Sequence, residues 1–462
     1  MIGSEFKTNN INIAYIGGGS KGWAWTFMTD LAIEENLSGT VKLYDIDYEA
    51  AYRNEIIGNS FLKRKEIKGY WKYYAVKTIE EALKEADFVI ISILPGTLDE
   101  MEGDVHLPEK YGIYQSVGDT TGPGGIMRAL RTIPIYMEFA QKVYKYCPDA
   151  WIINYTNPMA VCVRTLYHIY PKIKAFGCCH EVFSTQVLLA EMLKVLKNIE
   201  NVNREEIKVN ILGINHFTWI DSASYKNIDL LPLYKDFADK FYEEGYETEE
   251  NEHWINNMFK CANKVKFDLF KRYGVIAAAG DRHLAEFMPS WYLKSPEGVE
   301  KWKFNLTPVE WRRKNKSELE KKSLRILNGE EELVLKPSGE EGVKIIKALL
   351  GQEDFITNVN IPNRGQLEGI PMDSVVETNA VFSYNSVKPV VAGRPDSPLI
   401  NIMTRHVLNQ ETLLEAVIKK DKEIAFRAFI NDPFVDMDVD RARNLFDEML
   451  ANNKKYLDKL FC

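Results

Sequence analysis

The sequence predicts an α/β protein with a doubly wound parallel sheet and a second lobe of the α+β type. In about the first 180 residues, short apolar runs alternate with helical stretches, which is typical of a parallel sheet. After roughly residue 220 the pattern becomes more helical. The 462 residues exceed what one simple core needs, so we expect two closely packed lobes. We predict domains at 11–200 and 201–462, after a start (1–10) that resembles an expression tag.

Apolar runs bounded by turn residues mark the strands of the first lobe. These predicted strands cover 11–17, 41–47, 86–94, 150–156 and 174–179. Helices are expected between them, around 20–36, 48–66, 124–146 and 158–169. In the second lobe we predict strands at 208–217 and 274–281, aromatic-rich helices within 234–273, a solvated Lys/Glu-rich helical face at 310–336, loop and strand at 358–377, and helices at 404–430 and 438–460.

Composition excludes several classes of protein. A net charge of −8 argues against nucleic-acid binding, which needs a basic surface. No run of about 18 apolar residues suggests a membrane span, and no signal segment is evident. Six cysteines in so long a chain do not form a disulfide framework, and the adjacent Cys178 and Cys179 suit a reducing compartment. A cytoplasmic location is therefore expected.

A glycine-rich turn follows the first predicted strand and opens a helix. Gly17, Gly19 and Gly22 match the spacing G-x-G-x-x-G, and Ser20 lies within the same turn. The first glycine allows the tight turn, the second lets the backbone approach a pyrophosphate, and the third allows close packing of helix and strand. The free N–H groups at the start of the helix then face the anion. This pattern predicts a Rossmann-like dinucleotide site.

An acidic residue stands where such a site needs one. Asp45 ends the second predicted strand and would accept hydrogen bonds from the ribose hydroxyls, which favours NAD over NADP. The alternative is that Asp45 caps the next helix, although Asp47 could do that instead. Pro95, in "SILPG" at the end of a later strand, would border the nicotinamide side of the crevice.

Metal-ligand residue types follow two other strands. Cys179 and His180 in "GCCHEV" come directly after one strand, and His216 in "GINHF" comes at the end of another. A thiolate and an imidazole from two strand ends could hold one divalent ion and leave positions open for substrate oxygens. Buried Cys and His residues are often purely structural, and spacing alone leaves both interpretations open.

Two further segments collect ionisable residues. "GDRH" brings together Asp281, Arg282 and His283 after an apolar run, which indicates a cleft, although Asp281 and Arg282 could form a surface ion pair instead. "VGDTTGPGG" places Asp119 before a helix, where the sequence alone favours helix capping for Asp119 and Thr120.

The ordered set of these motifs resembles glycoside hydrolase family 4. The resemblance runs from about residue 11 to beyond residue 400 and is carried by "IGGGS", "LYDID", "DTTGPGG", "NYTNPM", "GCCHEV", "GINHF", "GDRH" and "IPNRG". Each motif is weak alone, but their order is specific. The resemblance implies a fold like that of lactate and malate dehydrogenases, with NAD and Mn²⁺ or another divalent metal as cofactors, and a homodimer or homotetramer built through the second lobe.

The resemblance also implies a redox-assisted cleavage. NAD takes a hydride from carbon 3 of the sugar, a base removes the proton from carbon 2, the leaving group is eliminated, water adds, and the hydride returns. Such NAD-dependent glycosidases do not follow the usual two-carboxylate scheme. The matching metal ligands are Cys179 and His216, and "NYTNP" matches a substrate-hydroxyl contact at Asn157.

Two positions depart from the members of the family that cleave phosphorylated sugars. His180 follows the metal cysteine, as in members that act on unphosphorylated sugars, and "GDRH" offers Asp281 instead of a tyrosine as the carbon-2 base. An imidazole titrates near neutrality, so His180 is the expected group at the glycosidic oxygen, a role that Glu181 could share or take over. Asp119 and His283 are expected to contact substrate.

The motif "CHEV" resembles the subgroup that acts on α-linked galacturonides. A substrate carboxylate favours an arginine, for which Arg282 is the first candidate, with Arg128 and Arg131 as others. The alternatives are a family 4 α-glucosidase, α-galactosidase or α-glucuronidase, a plain NAD-dependent hydroxy-acid or sugar dehydrogenase, and an NAD-sensing module. In every case the expected partner is a small molecule.

Overall fold

The computed structural model describes residues 8–248 and 261–461, and its strands form two sheets. The strands in this part of the chain are β1 (Thr8–Ile16), β2 (Leu37–Tyr44), β3 (Tyr70–Val76), β4 (Phe88–Ile91), β5 (Trp151–Asn154), β6 (Lys174–Gly177), β7 (Ile207–Ile214), β8 (Phe217–Tyr225), β9 (Ile228–Asp229), β10 (Ile276–Ala277), β11 (Phe355–Pro362), β12 (Val375–Ser383) and β13 (Ser386–Pro389).

Helices connect and cover these strands. They are α1 (Trp23–Ile33), α2 (Tyr48–Ser60), α3 (Ile79–Leu83), α4 (Leu98–His106), α5 (Gly122–Tyr146), α6 (Met159–Ile169), α7 (Glu181–Lys197), α8 (Leu231–Lys240), α9 (Lys264–Tyr273), α10 (Asp281–Phe287), α11 (Pro296–Lys301), α12 (Val309–Leu327), α13 (Gly342–Leu349), α14 (Ser397–Lys419), α15 (Lys422–Ile430), α16 (Val439–Asn452) and α17 (Lys454–Phe461). No helix among them combines the length and the apolar character that a bilayer-spanning segment requires.

The predicted doubly wound parallel sheet is confirmed. Strands β1 to β6 are parallel and lie in the order β6-β5-β4-β1-β2-β3. The strand order reverses between β1 and β4, and ligands of such sheets bind in the crevice outside the carboxyl ends of the strands at this point. The glycine turn after β1 and the "SILPG" loop after β4 therefore lie on opposite sides of one crevice.

The second half of the chain extends this sheet and adds another. Strand β11 pairs antiparallel with β6 at Asn360 and Gly177, and β12 and β13 continue outward to the edge. Strands β7, β8 and β10 form the separate antiparallel sheet, with β9 paired to β8. Residues from both halves of the sequence thus meet at the carboxyl end of β6. The predicted division near residue 200 stays a prediction.

Most predicted elements are present, with ends shifted by a few residues. Strand β1 begins at Thr8, inside the segment that we assigned to a tag. Strand β3 was not predicted, although its alternation of buried and exposed residues is typical of a strand. The predicted strand at 208–217 is instead a hairpin, with a turn at 215–216 between β7 and β8. Part of the predicted helical region, 249–260, lies outside the described residues.

The Lys/Glu-rich segment forms a surface helix, as predicted. Within α12 only Val309 and Ser323 are buried. One side of this helix nevertheless packs on α2 and α4, which flank the crevice. Glu320 contacts both Lys21 of the glycine turn, at 2.6 Å, and Arg53 of α2, at 2.8 Å. Helix α12 therefore lies across the sheet edge at which the crevice opens.

A buried ion pair joins this edge of the sheet to the C-terminal helices. Arg131 on α5 and Asp104 on α4 contact each other at 2.5 Å, and each side chain is only 2% exposed. Arg131 also donates hydrogen bonds to the carbonyl oxygen of Pro95 and to the side chain of Asn453, between α16 and α17. The charges and hydrogen bonds of Arg131 are satisfied within the protein.

Replacing Arg131 with Met should destabilise the fold strongly, because it leaves the Asp104 carboxylate buried without its counter-ion. Loss of one partner of a buried pair costs about 3–5 kcal/mol. Urea unfolding should show a free energy of unfolding lower by that amount, and Arg313→Met, at an exposed ion pair, should change it by less than about 1 kcal/mol. Equal stability of the two variants would contradict this view of the Arg131 pair.

Candidate functional site

The glycine turn has the geometry of a phosphate-binding loop. Gly17 has φ of +94°, and a Cβ there would lie 2.0 Å from the carbonyl oxygen of Ser92. A Cβ on Gly19 would lie 2.7 Å from the Cβ of Ala50, so no side chain fits at either position. Asn54 of α2 holds the turn by donating to the carbonyl oxygens of Gly18 (2.8 Å) and Ser20 (2.9 Å).

The first turn of α1 is open to an anion. Gly22 stands at its N-cap, and no side chain caps the helix. The N–H groups of an uncapped first turn, together with the helix dipole, favour a phosphate. Pro95, across the crevice, is buried, and its carbonyl oxygen accepts the hydrogen bond from Arg131. The predicted residues of the dinucleotide site therefore line both sides of the crevice.

Asp45 and Asp47 have separate tasks. Asp47 caps α2 by accepting from the N–H of Ala50, so the capping role belongs to Asp47 and not to Asp45. The Asp45 carboxylate faces the turn and accepts from the N–H groups of Gly19 (2.9 Å) and Asp47 (3.0 Å). Ile46, which lies between them, is 97% exposed and offers an apolar surface beside Asp45. Sequence analysis did not single out Ile46.

Four segments of the chain bring a second group of polar side chains together. Asp119 precedes α5, Glu181 begins α7, His216 lies in the β7–β8 turn and His283 lies in α10. The rings of His216 and His283 stack with centroids 3.8 Å apart. His283 Nδ1 lies 3.2 Å from Glu181 Oε1, and its Nε2 lies 3.9 Å from Asp119 Oδ1. We call these four residues the acid–imidazole cluster.

His216 is held in an unusual backbone conformation. It has φ of +63°, which is uncommon for a residue other than glycine, in the two-residue turn that joins Ile214 to Phe217. Its Nδ1 hydrogen-bonds to Thr120 Oγ1 at 2.8 Å, and that hydroxyl also donates to Asp119 at 2.7 Å. The N-cap of α5 is Thr121, without a side-chain cap, so the capping interpretation of Asp119 and Thr120 is wrong.

The charges of the cluster are arranged in pairs. Burial and the neighbouring His283 lower the pKa of His216 to about 3, so this ring carries no charge near pH 7. Burial opposes the charge on His283, yet the Glu181 carboxylate raises the pKa of that imidazole. In return, His283 holds the pKa of Glu181 well below its ordinary value despite burial. Against its own burial, Asp119 is kept ionised by Arg128 and His283, which lower its pKa.

His180 lies at the side of the cluster that faces the crevice. Its Nδ1 is 3.4 Å from Glu340 Oε1, and its ring lies 5.7 Å from that of Trp23 at the start of α1. Burial disfavours the charged ring, but Glu340 raises the pKa of His180. An imidazole with a raised pKa thus lies between the start of α1 and Glu340. Glu340 comes from a distant loop and was not predicted.

Cys179 lies beneath the cluster. It is 8% exposed, and burial together with Glu377 and Glu181 raises the pKa of its thiol. Glu377 of β12, also missed from the sequence, accepts from Asn358 at 2.7 Å and from Asn215 at 3.3 Å, and burial raises its pKa to about 7. The structure therefore brings Cys179 to the site, although the group of possible metal ligands does not include it.

Asp281 points away from the cluster. Both of its carboxylate oxygens accept backbone N–H groups at the start of α9, from Val265 and Lys266, each at 3.1 Å. Burial raises its pKa to about 6. Its neighbour Arg282 is 3% exposed and donates to the carbonyl oxygens of Ser116 and Asn305. The alternative of a surface ion pair between Asp281 and Arg282 is therefore wrong.

Asn157 connects the substrate side to the cluster. Its Nδ2 donates to Asp119 Oδ2 at 3.2 Å, and its carbonyl oxygen accepts from Arg128 Nε at 3.0 Å. Its Oδ1 is buried without a hydrogen-bond partner in the described residues, as an acceptor for a ligand hydroxyl would be. Asn157, Asp119, His283 and Glu181 thus line one continuous polar wall.

Comparison with known proteins identifies the family. Residues 12–195 match the model described as "Family 4 glycosyl hydrolase", and residues 211–435 match that of its C-terminal domain. The chain belongs to family 4 of the glycosyl hydrolases. It is 62% identical over 456 residues to an α-galacturonidase of Thermoanaerobacterium saccharolyticum, which covers 98% of each chain. The predicted resemblance is therefore confirmed.

Solved structures agree with this assignment. The crystal structure of a putative glucosidase from Bacillus subtilis superposes with a TM-score of 0.91, at 52% identity, over 96% of this chain and 100% of that one. A 6-phospho-α-glucosidase from gut microorganisms, solved in complex with NAD and Mn²⁺, superposes with a TM-score of 0.80 at 19% identity, over 97% and 99% of the two chains. The latter likeness supports the family 4 fold.

Donor atoms suitable for a divalent cation are present in this family 4 protein. One oxygen of Asp119 and one nitrogen each from His216 and His283 all lie within 4.8 Å of one another. His283 Nε2 is buried without a hydrogen-bond partner among the described residues, as a ligand nitrogen would be before it binds a metal. Imidazole and carboxylate are ligands that first-row divalent metals accept. The residues therefore fit a metal centre that includes the predicted ligand His216.

We expect the protein to bind Mn²⁺ at this cluster. Asp119→Asn and His283→Ala should each weaken binding at least about 10-fold, because each removes a donor atom or the charge behind it. Electron paramagnetic resonance of free Mn²⁺ measures the affinity, and His168→Ala, at an exposed histidine, is the control. Cys179→Ser tests whether the thiolate is a further ligand. Unchanged affinity in both cluster variants would place the metal elsewhere.

Proposed function

We propose that this chain is an α-galacturonidase that hydrolyses α-linked galacturonides with NAD and a divalent cation, Mn²⁺, as cofactors. The observation that carries the proposal is the 62% identity, over 98% of both chains, with an α-galacturonidase. The "CHEV" motif and a fully formed crevice and cluster support it. The alternatives within family 4 differ in the sugar that is accepted.

The cofactor assignment rests on the fit of the two sites. The glycine turn leaves room for a pyrophosphate, and Asp45 is placed for ribose hydroxyls. His216, with Asp119 and His283, would hold the metal, and Cys179 stays a predicted ligand. When bound, NAD supplies a hydride acceptor, and the cation supplies a Lewis acid that acidifies the proton on carbon 2.

The side chains of the site divide the proton transfers. His180, whose pKa Glu340 raises against the effect of burial, stays the predicted proton donor to the glycosidic oxygen. Glu181, whose pKa His283 holds well below its ordinary value, stays the predicted alternative to His180 at the glycosidic oxygen. Asp281 stays the predicted carbon-2 base, a role that requires its side chain to leave the N–H groups of α9. Asn157 and Asp119 would orient the sugar hydroxyls.

A cytoplasmic, oligomeric enzyme is the further expectation. All the cysteines in the described part of the chain are free, which suits a reducing compartment. Several apolar side chains around the edge strand β13 are exposed, among them Tyr384 and Val391, each 75% exposed. Such a patch is typical of a contact between subunits. A homodimer or homotetramer through this part of the second lobe is therefore proposed.

The proposed reaction predicts a specific isotope pattern. In deuterium oxide, hydrolysis of a nitrophenyl α-galacturonide should place deuterium on carbon 2 of the released galacturonate, with no net NADH. Removal of the metal with a chelator should abolish the activity, and Mn²⁺ should restore it. Net NADH would indicate a plain dehydrogenase, and product without deuterium would contradict elimination. If Asp281→Asn abolishes the incorporation of deuterium at carbon 2 and Glu181→Gln does not, Asp281 is the carbon-2 base.

The two neighbouring aspartates give a matched test of the dinucleotide site. Asp45→Ala should weaken NAD binding roughly 10-fold, because a hydrogen bond to a charged acceptor is lost. The same change should not weaken the binding of NADP. Asp47→Ala removes only the cap of α2, so it should cost about 1 kcal/mol of stability and leave NAD affinity unchanged. Quenching of tryptophan fluorescence reports the binding. Equal affinities in the two variants would remove Asp45 from the site.

A further inference from the structure

A galacturonide differs from a galactoside by a carboxylate on carbon 5, and the site around the cluster is already acidic. Asp119, Glu181, Glu286 and Glu340 all lie in or next to it, and the first two carry charge. A substrate anion brought to such a wall needs a cation that is not already neutralised. The substrate carboxylate therefore requires a cationic side chain whose charge no other group already balances.

The three arginines suggested by the sequence are engaged elsewhere. Arg131 is paired with Asp104. Arg282 donates to the carbonyl oxygens of Ser116 and Asn305, which fixes the loop before Asp119. Arg128 donates to the carbonyl oxygen of Asn157 and stabilises the Asp119 carboxylate. Arg131 and Arg282 would have to give up structural contacts to bind substrate, and the charge of Arg128 already balances that of Asp119.

A fourth arginine, Arg312, lies in the first turn of α12. The start of this helix is fixed against the loop that carries Asp119, because the N–H of Thr307 donates to the carbonyl oxygen of Ser116. Val309 is fully buried on α4, and its N–H donates to His106 Nε2 at 3.3 Å. The first turn of α12 is therefore a rigid neighbour of the substrate side of the cluster.

Arg312 and Arg313 leave this turn in different directions, because successive residues of a helix are turned by about 100°. Arg313 points outward and pairs with Asp99 of α4 at 2.7 Å. Arg312 is only partly exposed, and burial, with Asp119, Arg128 and Glu286 as the neighbouring charges, lowers its pKa. It forms no hydrogen bond or ion pair within residues 8–248 and 261–461, so its guanidinium, with Asp119 among the charges that act on it, has all its donors available.

We propose that Arg312 binds the carbon-5 carboxylate of the galacturonide and so determines the preference for uronic acids, an inference that rests on the proposed function. A guanidinium offers two parallel N–H donors to a carboxylate, a geometry that a lysine cannot reproduce. A neutral galactoside has no carboxylate, so it would leave the N–H donors of Arg312 without a ligand partner. The position of Arg312 on a helix over the crevice also brings the carboxylate pocket next to the dinucleotide.

The test compares three substrates with the same leaving group: a nitrophenyl α-galacturonide, its methyl ester and the α-galactoside. Arg312→Met should lower kcat/KM for the galacturonide roughly 100-fold, mainly through KM, and change the values for the two neutral substrates less than about 3-fold. Arg312→Lys should recover part of the loss. Arg313→Met, one position along the same helix, is the matched control and should behave like the wild type.

Binding gives a readout that does not depend on turnover. By calorimetry, galacturonate should bind the NAD- and Mn²⁺-loaded wild type but bind Arg312→Met at least about 10-fold more weakly, while both proteins bind NAD equally. Equal losses on charged and neutral substrates would overturn the role of Arg312 and leave the proposed function standing. A wild type that cleaves the galactoside but not the galacturonide would overturn the proposed function, and this inference with it.

Discussion

Two imidazole rings stacked 3.8 Å apart, one of which has a carboxylate beside each of its nitrogens, set the conditions for the whole site. Two positive charges cannot share that space, so the His216 ring is neutral, while Glu181 raises the pKa of the His283 ring. The neutral ring, His216, is free to offer a lone pair to a metal. Its strained turn, which costs on the order of 1–3 kcal/mol, is maintained by the packed hairpin on both sides.

This pairing explains why the site draws on distant parts of the chain. The carboxyl ends of β5 and β6 supply Asn157 and Cys179, the separate sheet supplies His216, and the added strands β11 and β12 supply Asn358 and Glu377. A parallel sheet alone would leave the thiol of Cys179 facing solvent. The antiparallel extension closes it off, and the resulting burial makes each charge depend on its partner.

Sequence reasoning predicted the part of the site that local rules determine. Asp45, Asn157 and His216 follow strands, whose carboxyl ends gather at one edge, and Asp119 precedes a helix. It could not predict Glu340 or Glu377, because long-range packing positions them without a local motif. Sequence reasoning also could not predict which residue of "GDRH" faces the cluster. Asp281 and His283 differ by about 200° around α10, so only one of them can face the cluster, and the phase of a short helix depends on tertiary contacts.

The charge of the protein constrains how an acidic substrate is selected. With a net charge of −8, the chain as a whole repels a uronate, but salt screens that field beyond about 8–10 Å. Recognition must therefore come from contacts inside the site, where the dielectric is low and individual charges dominate. Asp119 and Glu181 are already balanced by Arg128 and His283. An additional anion becomes acceptable only where a further cation lies within direct hydrogen-bonding distance. The proposed role of Arg312 therefore makes uronate specificity a local property of the wall beside Asp119, independent of the overall electrostatics of the fold.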